Sequence, residues 1–150
     1  MTTWEKQATP THLHATSVDI NGKGILIFGK PGMGKSSLAL QLIDRGAILI
    51  ADDQTVLHYE KEALILGSPE TLRGMMEVRE VGICSFPFRQ QSYLKLCVEI
   101  CEKNDLERLP EPLFKEYYQI KVPLLKLKRD DPLGPIKVEL KLGHKDRSDV

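Results

Sequence analysis

Residues 29–36 constrain what this chain can fold into more than any other part of its sequence. They read Gly-Lys-Pro-Gly-Met-Gly-Lys-Ser and fit the pattern G-x-x-x-x-G-K-[ST] at every required position. A short apolar run at residues 24–28 precedes them. Residues 36–46 follow, with apolar side chains three and four positions apart and a glycine at the end, as in a helix with its stop signal. A strand, this turn and a helix, in that order, predict a P-loop.

The glycines of the turn let several backbone N–H groups converge on one polyphosphate, because side chains at these positions would block the approach. The helix that begins near Lys35 adds its positive end. Lys35 is expected to reach the β- and γ-phosphates of ATP, and the Ser36 hydroxyl to ligate Mg²⁺. The alternative is a glycine turn with an incidental lysine. The nucleotide-binding residues that the motif predicts are Gly29, Lys30, Pro31, Gly32, Met33, Gly34, Lys35, Ser36 and Ser37.

A second apolar run, residues 47–51, follows the helix. A strand, a helix and a strand within about thirty residues predict a βαβ unit whose two strands are parallel. Asn21 and Gly22 lie between two extended runs and predict a hairpin before the P-loop strand. The expected fold class is therefore α/β, a P-loop nucleotide-binding domain with a mixed β-sheet.

The rest of the chain predicts short strands joined by turns, at residues 55–59, 63–66, 81–86, 93–100 and 120–127. The charged segment 102–116 contains two prolines and is interpreted as a surface connection. Residues 136–142 predict a short helix that ends at Gly143. One domain over residues 1–150 is expected for this length, with 144–150 as a mobile polar tail.

Asp52 and Asp53 follow the second strand, at the side of a parallel sheet where ligands gather. Adjacent residues of an extended segment point in different directions, so only one carboxylate can face the metal directly. The other is then free to accept a proton from an incoming hydroxyl group. The alternative interpretation is a solvated acidic turn.

Charge and cysteine usage exclude several classes of protein. Lys and Arg number 21, as do Asp and Glu, so no overall field attracts nucleic acid or an anionic membrane. No stretch reaches the roughly 18 apolar residues of a membrane span, and no signal peptide is evident, which favours the cytoplasm. Cys84, Cys97 and Cys101 lack C-x-x-C spacing and are interpreted as reduced, packed thiols.

Four stretches of the sequence, in this order and spacing, resemble the catalytic domain of bacterial HPr kinase/phosphorylase. They are residues 13–19, the P-loop with its helix and Arg45-Gly46, residues 51–53, and residues 76–83. Together they lie within residues 12–86. The resemblance implies a kinase that phosphorylates a serine of the phosphocarrier HPr and can also remove that phosphate with inorganic phosphate.

The resemblance also implies roles for individual residues. Asp52 would be the base that deprotonates the seryl hydroxyl, and Asp53 would support the P-loop side of the site. His14 would lie near the transferred phosphoryl group. The implied metal ligands are Ser36 and Glu77. The implied catalytic set, which includes the signature arginine, is His14, Lys35, Asp52, Asp53 and Arg79.

Three features depart from the family pattern. The signature usually reads Arg-Gly, whereas Glu80 follows Arg79 here, which puts the local backbone in question. The Pro-Gly-Arg-Asn-like stretch after the last strand is missing. Lys126, Lys128 and Arg129 there are interpreted as a solvated basic edge, and contact with an acidic partner or a phosphate is the alternative. Few residues precede the strand with His14 in this sequence, so the expectation from the resemblance is a truncated form without the family's N-terminal domain.

Three functions fit these patterns. The first is a serine kinase for HPr or a similar phosphocarrier, in the regulation of carbon metabolism, with homo-oligomers implied by the resemblance. The second is an ATP-sensing module that binds the nucleotide without transferring phosphate. The third is a small-molecule kinase or simple ATPase, since a fold does not dictate its substrate.

Overall fold

A mixed β-sheet with two helices against it makes up the fold in the computed structural model, which describes residues 10–102 and 106–143. Within these residues the main sheet has the order β1-β5-β6-β9-β3-β2-β4, and β11 joins β9 and carries β10 at its edge. The strands are β1 (Thr11–Leu13), β2 (Thr16–Ile20), β3 (Lys23–Phe28), β4 (Ile48–Ala51), β5 (Thr55–Glu60), β6 (Ala63–Gly67), β7 (Met75–Val78), β8 (Gly82–Ser85), β9 (Ser92–Cys101), β10 (Leu113–Tyr117) and β11 (Ile120–Lys128). The helices are α1 (Lys35–Asp44) and α2 (Gly134–Leu142).

The strand directions bring several carboxyl ends to one edge of the sheet. β3 runs parallel to β9, and β9 runs parallel to β11. β2 pairs antiparallel with both β3 and β4, so these two strands point the same way, as the sequence predicts. They are not neighbours, because β2 lies between them. The P-loop after β3 and the aspartates after β4 therefore share one edge.

The predicted hairpin and P-loop helix are confirmed. Asn21 and Gly22 form a two-residue turn between β2 and β3, with φ values of 52° and 84°. Asn-Gly suits this turn because both residues tolerate positive φ. α1 ends at Asp44, and the following Gly46 has a φ of 112°.

The apolar strands bury both of their faces. Ile25 and Ile27 of β3 pack in a first core cluster with the helices, and Leu26 packs in a second cluster on the other face. Leu49 and Ile50 of β4 divide between the clusters in the same way. A central strand covered on both sides needs a continuous apolar run, which explains the sequence of both strands.

The prediction of a surface connection over residues 102–116 is wrong at its C-terminal end, where β10 pairs antiparallel with β11. The turn between them consists of Tyr118 and Gln119, with φ values of 51° and 66° and no glycine. Tertiary contacts hold this turn, because the Tyr118 ring stacks on Tyr59 at 5.2 Å and its hydroxyl lies 2.8 Å from the Thr11 hydroxyl.

Other boundaries also differ from the predictions. β7 was absent from the predicted strands, and it pairs antiparallel with β8 in a separate two-stranded sheet. α2 begins at Gly134, two residues before the predicted start, because Pro135 fits the first turn of a helix. The predicted tail, residues 144–150, lies outside the described residues.

Cys97 of β9 lies buried in the second cluster. Burial raises the pKa of its thiol from 9.0 to about 12, and the positive charge of Lys115 opposes the shift. Burial also raises the pKa of Tyr117 to about 12, and Cys97 adds to that shift. Cys101 is buried as well, whereas Cys84 is partly exposed, and no disulfide joins any of these three cysteines, which all lie in the described part of the chain.

Replacing Cys97 with alanine should flatten the loss of stability at alkaline pH. Below pH 9.0 the thiol keeps its proton in both states, but between 9.0 and about 12 only the unfolded thiol ionises. Rising pH then lowers the free energy of unfolding by about 1.4 kcal/mol per pH unit. Urea unfolding over this range measures the slope. Cys84→Ala should keep the wild-type slope, and an equally steep slope in Cys97→Ala would contradict the assignment.

Candidate functional site

A cavity of about 1020 Å³ opens at the edge where β3 and β4 end. It brings together every residue of the predicted catalytic and metal-binding sets. The lining residues are His14, Gly29, Pro31, Gly32, Gly34, Lys35, Ser36, Ser37, Leu40, Asp52, Asp53, Met76, Glu77, Val78, Arg79, Glu80, Arg129 and Asp130.

Two residues of the predicted nucleotide set do not line the cavity. The side chain of Met33 is buried in the first core cluster, and its backbone N–H donates to the Lys30 carbonyl at 3.2 Å. The turn thus uses Met33 as a core residue. Lys30 is exposed outside the cavity lining.

Glycine is required at different positions of the P-loop for different structural reasons. Gly32 and Gly34 adopt φ values of 81° and 92°, which favour glycine. A Cβ at Gly29 would lie 3.1 Å from the Ile100 carbonyl oxygen, so the neighbouring strand β9 leaves little space there. Lys35 Nζ donates to the Gly29 carbonyl at 3.2 Å, which keeps the ammonium group at the loop.

The carboxylate of Asp52 binds directly to the P-loop helix. Its Oδ1 accepts a 2.6 Å hydrogen bond from the Ser36 hydroxyl and a 3.1 Å bond from the Thr16 hydroxyl. The resemblance implies the P-loop side for Asp53, whereas in the structure Asp52 makes the contact with the P-loop serine. Asp53 has a φ of 64°, so the extended conformation of β4 does not continue through it.

Asp53 faces the open side of the cavity. Its Oδ1 lies 3.9 Å from His14 Nδ1, and the two side chains are 62% and 88% exposed, respectively. A carboxylate this exposed is accessible to a hydroxyl group that enters the cavity. His14 lies beside it at the same open side of the cavity.

The β7–β8 hairpin forms one wall of the cavity. Glu77 and Arg79 lie on it, as the predicted sets require. Within residues 10–102 and 106–143, no three His, Cys, Asp or Glu side chains converge closely enough to hold a metal. A metal held by Ser36 and Glu77 would take its remaining ligands from water or from phosphate oxygens.

Glu80 stands where the family signature has glycine, and the backbone there still forms a turn with positive φ. Its φ is 69°, and the turn is closed by a 3.0 Å hydrogen bond from the Val81 N–H to the Val78 carbonyl. A glycine would adopt this conformation without strain. The side chain of Glu80 adds a carboxylate to the cavity wall instead.

Arg129 and Asp130 belong to the cavity and were missed as site residues. Arg129 follows β11, its N–H donates to the Cys101 carbonyl at 3.0 Å, and its Nη1 lies 4.0 Å from Met33 Sδ. Its Nε is 3.7 Å from the Asp130 carboxylate. Arg129 is half exposed and also borders the cavity. The parallel pairing of β11 with β9, which sequence does not reveal, carries it to this edge.

Comparisons with known proteins identify the family to which the sequence is similar. The sequence profile of the family described as HPr Serine kinase C-terminal domain matches residues 5–129. HPr kinase/phosphorylase of Leptothrix cholodnii is 41% identical over 73% of this chain and 38% of that protein. HPr kinase/phosphorylase of Clostridium tetani is 48% identical over 55% of this chain and 27% of that protein.

A solved structure shares the fold. The Hpr(Ser) kinase/phosphatase from Coxiella burnetii superposes with a TM-score of 0.77 at 26% identity, over 86% of both chains. By contrast, this chain matches only about two-fifths or less of the length of the Leptothrix and Clostridium proteins. Among the described residues, neither helix has the length and apolar character that crossing a membrane requires.

Replacing Glu80 with glycine should raise the free energy of unfolding by about 1 kcal/mol, because a non-glycine residue at positive φ is strained. Urea unfolding measures the change. The matched replacement at exposed Glu116, within β10, should lower stability by about 0.5–1 kcal/mol, since glycine weakens a strand. A loss of stability in Glu80→Gly would show that the side chain stabilises the turn.

Proposed function

Because the chain belongs to the HPr Serine kinase C-terminal domain family, we propose that it transfers a phosphoryl group from ATP to a serine of HPr. The observation that carries the proposal is that two adjacent carboxylates occupy different positions in one cavity. Asp52 is bonded to the P-loop serine, while Asp53 stays exposed beside His14. One carboxylate is thus placed at the phosphate-binding side and the other at the side open to a protein substrate.

The P-loop side would hold ATP with Mg²⁺. Converging N–H groups and the start of α1 suit the phosphates. Lys35 has only a single carbonyl contact to exchange for a phosphate oxygen. Ser36 and Glu77 would hold the metal, with Asp52 orienting the serine hydroxyl. The ion, when bound, neutralises charge on the phosphate oxygens.

Asp53, rather than Asp52, is the proposed base. Asp52 already accepts two hydroxyl hydrogen bonds on one oxygen, whereas Asp53 is exposed to an incoming group. In the reaction the seryl oxygen bonds to the γ-phosphorus, its proton passes to Asp53, and the bond from phosphorus to the ADP oxygen breaks. Proton acceptance by a positioned side chain aims the nucleophile. His14, 3.9 Å away, would stabilise the charge that gathers around the transferred group.

Arg129 favours phosphorolysis as a second activity of the same cavity. It supplies a cation beside the P-loop, although the family's arginine stretch is missing from the sequence. In this direction an oxygen of inorganic phosphate bonds to the phosphorus of phosphoserine, and the bond to the seryl oxygen breaks. Pyrophosphate forms, and Asp53, after taking up a proton from solvent, gives that proton to the seryl oxygen.

The two alternative functions make different demands on the site. An ATP-sensing module needs the P-loop and Lys35 but has no use for an exposed carboxylate beside a histidine. A small-molecule kinase needs a closed pocket for its substrate, whereas His14 and Asp53 are largely open to solvent. The open side of the cavity therefore favours a protein substrate over both alternatives.

Replacing each aspartate with asparagine should separate the two roles. With HPr, ATP and Mg²⁺, Asp53→Asn should lower kcat by about a hundred- to ten-thousand-fold, because the proton acceptor is lost. Its nucleotide affinity should stay near the wild-type value. Asp52→Asn should instead raise the Mg²⁺ concentration needed for half-maximal rate, since the partner of Ser36 is weakened. Phosphoserine formation and nucleotide titration measure both effects.

The same experiment tests the alternatives. Tight Lys35-dependent ATP binding with no phosphoserine in the wild type would favour the sensing module. Full activity in Asp53→Asn, with a loss confined to Asp52→Asn, would assign the base to Asp52 instead. ATP turnover that is indifferent to HPr would favour an ATPase or a small-molecule kinase.

Removing the cations of the cavity should weaken nucleotide binding to different degrees. Lys35→Met should weaken ATP about tenfold or more, as expected for a lost bond to a charged group. Arg129→Gln should weaken ATP by up to about fivefold, because half-exposed charge pairs contribute about 1 kcal/mol or less. Titration at two salt concentrations should show a weaker salt dependence in Arg129→Gln. Lys126→Gln, at an exposed position of the strand that precedes Arg129, is the control, and an equal effect there would remove Arg129 from the site.

A further inference from the structure

Thr16, at the start of β2, contacts both parts of the Asp52-Asp53 pair. Its side chain is fully buried. The hydroxyl donates to Asp52 Oδ1 at 3.1 Å and accepts the backbone N–H of Asp53 at 3.0 Å. Ser17 next to it pairs with Ala51, so Thr16 lies opposite the point where β4 ends. The Thr16 hydroxyl thus extends the contact between β2 and the segment after β4 beyond the Ser17–Ala51 pair.

A hydroxyl suits this place because it has one donor and two acceptor positions. Its single proton is committed to the carboxylate of Asp52, which leaves its oxygen to accept the N–H of Asp53. The same Asp52 oxygen accepts the Ser36 hydroxyl at 2.6 Å. A chain of hydrogen bonds therefore runs from the P-loop helix through Asp52 and Thr16 to the backbone of Asp53.

The backbone at Asp53 has a conformation that needs such support. Its φ is 64°, and the N–H of Gln54 donates to the Asp52 carbonyl at 2.7 Å. A three-residue turn of this kind with positive φ is rare and strained. Strained turns at functional sites persist only where the surroundings fix them. The bond from the Asp53 N–H to Thr16 is such a restraint, and it acts on the residue whose carboxylate faces His14.

We propose that Thr16 is the positioning residue for both carboxylates. It fixes Asp52 towards Ser36 and holds the turn that presents Asp53 to the substrate side. This inference rests on the proposed function, because positioning is defined by the phosphoryl transfer it serves. Small displacements of a reacting group can cost about a hundredfold in rate. Thr16 itself touches neither the nucleotide side nor the open side of the cavity, since it is absent from the lining.

Thr55 provides a matched control. It is equally buried, its hydroxyl donates to the Ala15 carbonyl at 2.8 Å, and it lies 3.0 Å from the Ser17 hydroxyl. These bonds belong to the same part of the fold but do not reach either aspartate side chain. Thr55→Val therefore removes a buried hydroxyl of the same kind while leaving the Asp52-Asp53 contacts in place.

The test compares Thr16→Val, Thr16→Ser and Thr55→Val in the full chain. Thr16→Val should lower kcat for phosphoserine formation on HPr by about ten- to a hundredfold. KM for ATP and for HPr should change by about twofold or less, and Thr16→Ser should restore most of the rate. Thr55→Val should lose stability to a similar degree as Thr16→Val but keep its kcat. Thr16→Ala replaces Thr16→Val if the latter does not fold.

Hydrogen exchange gives a readout that does not depend on activity. The amide of Asp53 should exchange about tenfold faster in Thr16→Val, because its acceptor is gone, and at the wild-type rate in Thr16→Ser and Thr55→Val. Equal kcat in Thr16→Val and Thr55→Val, or an unchanged Asp53 amide in Thr16→Val, would overturn the inference. A wild type that does not phosphorylate HPr would instead defeat the proposed function, and the exchange rates would still decide whether Thr16 holds the turn.

Discussion

The hydrogen bond between Ser36 and Asp52, at 2.6 Å, joins the helix after the P-loop to the end of β4. The helix already shares the first core cluster with Leu49 of β4. The bond adds a polar contact between residues that follow β3 and β4, two strands that β2 separates in the sheet. It brings the phosphate-binding turn and the acidic turn into one site. The exposed pair of Asp53 and His14 is then placed beside the P-loop rather than at a separate edge.

The sequence was enough to predict the parts of the fold that have local chemical causes. The glycine turn, the helix after it, the Asn-Gly hairpin and the apolar strands each follow from backbone freedom or from burial. The position of β2 between β3 and β4 depends on long-range pairing, which no local pattern encodes. β10 was missed for a related reason, since the turn at Tyr118 and Gln119 is held by tertiary contacts rather than by glycine.

The sequence predicted which residues belong to the candidate site more completely than it predicted how they are arranged. Motif order named every member of the catalytic and metal-binding sets that the cavity collects. The Asp52 and Asp53 carboxylates point in different directions, as alternation of adjacent side chains predicts, but no local pattern indicates which of them contacts the P-loop helix. Arg129 and Thr16 were missed because their importance arises from strand pairing and from a buried hydroxyl. Neither residue type signals a role of this kind by itself.

The central claim is that the cavity delivers phosphate to a serine of a protein. Tandem mass spectrometry of HPr, after incubation with this chain, ATP and Mg²⁺, tests it most directly because the phosphorylated residue is identified. The account predicts a single phosphate on a serine side chain. Unmodified HPr, or a phosphate found on a histidine and absent from every serine, would contradict it.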